Sequence, residues 1–71
     1  MSWNYRLLRD KNGFYHIHEV YYYKNGYPSK MSVKPVEVSE NTLEGMTWVL
    51  EKVLEGIEKK GIFVPPKHWN V

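Results

Sequence analysis

The chain reads as an α+β domain: a three-stranded antiparallel meander with one helix packed on one face, in the order β-β-β-α, and a short C-terminal strand. Three observations carry this reading. Residues 41–60 hold apolar side chains at helical spacing. Two turns of the same form, Asp10-Lys11-Asn12-Gly13 and Tyr23-Lys24-Asn25-Gly26, separate runs rich in aromatic and β-branched residues. Gly61 precedes a short apolar run, Ile62-Phe63-Val64, which Pro65 and Pro66 close.

The first strand is expected over residues 3–9. The Asp-Lys-Asn-Gly after it has the form of a type I turn whose fourth residue is a left-handed glycine, a three-residue hairpin loop with a bulge. Residues 14–23 form the second strand. The second turn repeats the same loop solution, and residues 27–38 form the third strand. Pro35 interrupts this last run, which makes it an edge strand, bent or bulged there.

The loop type sets the register, with Leu7 opposite Ile17 and Ile17 opposite Val33. Side chains alternate between faces, so Tyr5, Leu7, Tyr15, Ile17, Met31 and Val33 share the face expected under the helix. Glu19 falls there too, opposite Met31 and in reach of the Tyr5 or Tyr21 hydroxyl. The other face, expected to lie open, carries Arg6, Leu8, His16, His18, Val20, Tyr22, Ser32 and Lys34. A two-residue turn at Asn12-Gly13 would shift the first pairing by one and exchange the faces of the first strand.

In the helix, Leu43, Met46, Leu50, Val53, Leu54 and Ile57 recur at steps of three and four and form one stripe, expected against the sheet. Asn41 is placed to cap the first turn, with Glu44 three residues on to reach back. Lys59 and Lys60 suit the negative end of the helix dipole, and Gly61 supplies the left-handed stop. Trp48 lies about 180° from the apolar stripe at 100° per residue. Gly45 and Gly56 share a flank beside it. Two glycines in a helix cost about 1 kcal/mol each relative to alanine. They and Trp48 are read either as a tryptophan lying over Lys52 with incidental glycines, or as a surface for a partner.

Seventy-one residues make one domain, expected over residues 1–64, with 65–71 a loose tail. A chain this short buries only about 60% of its unfolded surface. It has no cysteine, so neither a disulfide framework nor a thiolate metal site supports it, and oligomerisation gains weight. No apolar run approaches the ~20 residues of a membrane span, and the first residues lack the basic-then-apolar order of a signal peptide. A cytoplasmic protein with no membrane contact is expected. The net charge is +2, but it divides unevenly. Residues 1–38 carry six basic against three acidic side chains, and residues 39–60 three against five. A basic strand half and an acidic helix half favour self-association as readily as RNA binding.

Catalysis is not expected. No cysteine nucleophile exists, Ser2, Ser29, Ser32 and Ser39 lack a glycine-rich elbow, and no glycine-rich phosphate loop is present. His16 and His18 point to the same face and offer two imidazoles to a metal. A catalytic zinc normally takes three protein ligands and a structural one four, so no metal and no cofactor are expected.

The layout, a capped helix after a three-stranded meander, resembles the N-terminal domain of HicB-type antitoxins, a partial double-stranded-RNA-binding fold. The run Tyr15-His16-Ile17-His18-Glu19-Val20-Tyr21-Tyr22, then Gly26, Ser32, Pro35 and the Thr42-Leu43-Glu44 helix start, is similar to a family of short uncharacterised bacterial proteins. The second likeness covers most of the chain. Both imply the fold, and neither implies an activity.

Two surfaces are candidates for binding. The open sheet face gathers Arg6, His16, His18, Val20, Tyr22 and Lys34, an aromatic and basic set suited to protein contact or to stacking single-stranded bases. The outer helix face gathers Gly45, Trp48, Lys52 and Gly56. The expected function is a small non-enzymatic interaction or regulatory module that forms a homodimer and meets a protein partner. The alternative is a nucleic-acid-binding module that uses the open sheet face.

Overall fold

The computed structural model describes residues 2–69. Strands β1 (Ser2–Arg9), β2 (Tyr15–Tyr22) and β3 (Pro28–Met31) form an antiparallel sheet in the order β1-β2-β3, and helix α1 (Leu43–Lys60) packs against β1. Both turns take the predicted form. Gly13 and Gly26 have φ of 89° and 90°, and each amide donates to the carbonyl three residues back, of Asp10 and Tyr23. Only glycine holds that φ cheaply. Leu7 therefore faces Ile17, as the loop type requires.

The second pairing departs from expectation by one residue. Val20 faces Met31 and Tyr21 faces Lys30, but Tyr22 faces Pro28. Pro28 has no N–H to give the ladder, and the extra residue, Ser29, is accommodated as a bulge. Its hydroxyl donates to the Tyr21 carbonyl. Met31 is thereby moved off the Ile17 face and onto the face of Val20. Regular pairing ends there, short of the expected residue 38. The Ser32 and Val36 amides still donate to Glu19 and Ile17, while the chain between them leaves the sheet ahead of Pro35, with Val33 96% exposed. Glu19 accepts from the Tyr21 hydroxyl at 3.2 Å, so the half-buried carboxylate has its partner.

The helix is capped by Thr42 rather than Asn41; the Thr42 hydroxyl accepts from the Gly45 amide at 3.0 Å. It stops at Gly61, whose φ is 65° and whose amide donates to the Ile57 carbonyl. The face it turns inward overlaps the predicted one only in part: of the expected stripe, Met46, Val53 and Ile57 are half-buried and the three leucines are not. Val49 and Gly56 are buried and Val53 half-buried, whereas Leu43, Leu50 and Leu54 are 85%, 52% and 55% exposed. Relative to expectation the helix is rolled by about 60° at 100° per residue, which brings Val49 and Gly56 inward and turns the leucines out. The reason is close approach. A Cβ on Gly56 would run into the carbonyl oxygen of Tyr5, so at this point the helix backbone lies directly on the strand because no side chain intervenes. Gly56 is the point of contact with the strand; Gly45 meets only Glu40 and Thr42.

The core lies on the other side of the sheet. Leu8, Val20 and Phe63 are buried together, with Tyr22, Met31 and Trp69 packed around them. Val20 has no exposed surface; a buried side chain of this size contributes ~1.5–3 kcal/mol. Phe63 arrives because its amide donates to the Leu7 carbonyl at 2.7 Å, beside an isolated parallel bridge between Leu7 and Ile62. That bridge is all there is of the expected C-terminal strand, since Pro65 and Pro66 have no N–H to extend it. The chain instead crosses the sheet face. Trp69 packs at 6.1 Å from Phe63, and its amide donates to the Pro66 carbonyl. Of the segment expected to be a loose tail, Trp69 packs beside the core cluster while Lys67 and His68 are exposed; residues 70 and 71 lie outside the described residues.

Candidate functional site

The sheet face expected to be open is the face that Phe63 and Trp69 pack on, and His18 and Val20 are buried there. His18 is buried; its Nδ1 lies 3.0 Å from the Ser32 carbonyl oxygen, which can only accept, so the proton sits on Nδ1. His16 donates from Nε2 to Asp10 Oδ2 at 2.8 Å. Asp10 Oδ1 also accepts from the Asn12 and Phe14 amides, at 2.9 Å each. The His16 hydrogen bond and these backbone bonds hold the Asp10 carboxyl below its ordinary value of 3.8.

Arg6 threads the same side. Its guanidinium lies 5.0 Å from the centre of the Phe63 ring and donates to the Tyr22 hydroxyl at 3.3 Å and to the Lys60 carbonyl at 3.4 Å. The Tyr22 hydroxyl donates in turn to Asn4 Oδ1 at 2.8 Å. Arg6 thereby ties β1, β2, the end of α1 and the C-terminal segment together; its buried Nε has no acceptor among the described residues. Lys34 stands apart in the exposed excursion before Pro35. The six residues of this surface therefore do not assemble an accessible site. Alternation along β1 and β2 accounts for Arg6, His16, His18, Val20 and Tyr22 sharing a face, but Trp69 is far along the chain and no periodicity links it to Val20.

The second surface is brought together in part. Trp48, Lys52 and Gly56 line a cleft of about 370 Å³ between α1 and the first half of β1. Gly45 does not take part. It sits in the first helical turn, next to Glu40 and Thr42. Opposite Trp48 stand Trp3 and Tyr5, edge to face at 5.2 Å and 85°. Lys59 and Lys60 complete the basic side. Glu55 is the acidic residue of the lining, 3.9 Å from the Lys52 ammonium and 3.5 Å from that of Lys59. Lys52 also lies 5.8 Å from the Trp48 ring. These pairs are exposed and contribute little to stability, so the lysines remain free to exchange partners. Burial and then the nearby Glu19 and Glu40 carboxylates raise the Tyr5 phenol above its ordinary value of 10.0.

Sequence reasoning missed the strand half of this cleft. The signal was present: Trp3 and Tyr5 are two apart on one strand face, and positions 48, 52, 55 and 59 recur at helical spacing. What was not visible was that Gly56, and not the leucines, brings the two together.

Among the described residues, no group of three or more His, Cys, Asp or Glu side chains is arranged to hold a metal ion, and no helix is long and apolar enough to cross a membrane. No family model matches the chain, and neither the curated proteins nor the solved structures offer a match.

Proposed function

We propose that the protein is a small non-enzymatic interaction module that works as a self-associated unit. The observation that carries this reading is the leucine row of α1. Leu43, Leu50 and Leu54 recur at helical spacing and remain 85%, 52% and 55% exposed in the single chain. A row of three leucines is costly to leave in water and marks an interface.

A second copy is the occupant that fits. Glu44, Glu51 and Glu58 border the leucine row on the helix, while the strand half carries the surplus of basic residues and the exposed aromatic rings of Tyr15 and Tyr27. The helix of one copy set on the basic sheet side of the other, twice over, gives a closed two-fold pair. A standard interface needs ~800 Å² from each partner, about one-seventh of the 5858 Å² this chain exposes. Leucine burial supplies the affinity, and the charge asymmetry supplies the orientation.

Light scattering after size exclusion tests the proposal. The expected result is a dimer at micromolar concentration and a monomer for Leu50→Lys, with circular dichroism unchanged because Leu50 is half-exposed in one copy. A wild-type monomer at high concentration overturns the reading, as does a Leu50→Lys dimer as tight as the parent.

A further inference from the structure

The cleft between β1 and α1 is separate from the leucine row. Trp48 and the leucines occupy different sides of the helix, with Gly56, the point of contact with the strand, between them at 100° per residue. We infer that this cleft takes a short stretch of single-stranded nucleic acid, with bases against Trp3 and Trp48 and phosphates along Lys52, Lys59 and Lys60.

Three observations support it. The rings are aromatic rather than aliphatic, half-exposed at Trp3 and Trp48, and an indole face stacks any base. The lining carries three lysines against one glutamate, and the lysines run along the helix beside the rings, Trp48 and Lys60 being about 18 Å apart at the helical rise. That spacing suits a strand that stacks at one end and follows cations toward the other. The third observation concerns the strand edge. A peptide takes a site of this kind by adding its backbone to the edge of the sheet. Here Gly56 is seated on the Tyr5 carbonyl oxygen, and the Phe63 amide already occupies the Leu7 carbonyl. At Tyr5 and Leu7 the edge is taken, and the side chains of the cleft offer ring faces and ammonium groups, the two contacts that bind single strands without reading sequence.

Fluorescence anisotropy with a short labelled oligothymidylate tests this, with a duplex of equal length and a polyglutamate of similar charge as competitors. The expected result is binding that weakens about tenfold in Trp48→Ala. Its logarithm should fall with the logarithm of salt at a slope of up to about −2, the value for three phosphates at ~0.7 each. The duplex, whose bases are already stacked, competes poorly. Lys59→Glu should flatten the salt slope while circular dichroism stays unchanged, which separates loss of contact from loss of fold. No binding at low salt overturns the inference. Binding indifferent to Trp48→Ala does so too, since the charge alone would then be responsible. Competition by polyglutamate as strong as by the unlabelled strand would mark the cleft as a surface for acidic chains and overturn it as well.

Discussion

Asp10 shows how much one short side chain does in this molecule. Its carboxylate closes the first turn by accepting from the Asn12 and Phe14 amides and from the His16 ring. All three bonds favour the ionised form, so its folded pKa is depressed. A group of this kind contributes stability above its unfolded pKa, and the contribution is lost as pH falls through the folded value. Carboxyl-carbon NMR should place the Asp10 midpoint below 3.8, and His16→Ala should move it back up, because the imidazole bond is the largest of the causes. A midpoint that does not move in His16→Ala would remove His16 from that role. Residue-scale features of this sort were legible in the sequence wherever the partners are close along the chain: the turn glycines, the Gly61 stop, and Glu19 meeting the Tyr21 hydroxyl. His18 was not, because its partner is the Ser32 carbonyl, and that carbonyl is positioned by the Pro28 bulge.

At the scale of the element, α1 inverts the usual rule that the largest apolar side chains mark the buried face. Leucine periodicity pointed one way and Gly56 another, and Gly56 prevailed because backbone contact with the Tyr5 carbonyl is closer than any leucine permits. Paired substitutions separate the two glycines. Gly45→Ala would meet the flexible end of Glu40 and the Thr42 hydroxyl; it should be neutral or gain up to ~1 kcal/mol of helix propensity. Gly56→Ala would drive a methyl group into main chain and should cost ~1–3 kcal/mol in spite of that propensity. Urea unfolding of both variants measures the contrast, and an equally stable Gly56→Ala protein would rule out the close approach. The same roll accounts for Leu50. Half-exposed in one copy, it cannot carry the ~2–5 kcal/mol that a core leucine loses on truncation to alanine.

For the whole molecule, the sheet order and the first hairpin register were readable because each follows from a local turn. The location of the core was not. It lies on the face that looked open, covered by a segment after the helix that the two prolines make look like a loose end. Phe63→Ala should therefore cost ~3–5 kcal/mol, a large part of the stability available to so small a domain, with thermal unfolding as the measure. A variant as stable as the parent would show that the segment lies on the sheet without holding it. The tie between Leu7 and Phe63 also has a kinetic side. Its two ends are 56 positions apart in sequence, whereas the first hairpin closes over a loop of a few residues. The hairpin can zip early, but the long closure comes at greater entropic expense and later on the path. Contacts absent from the transition state govern how fast a native protein comes apart, not how fast it forms. The lifetime of this fold is thus set by how long Phe63 stays on the sheet, and the Phe63→Ala penalty should fall on the unfolding limb of the chevron, with the refolding limb nearly unmoved.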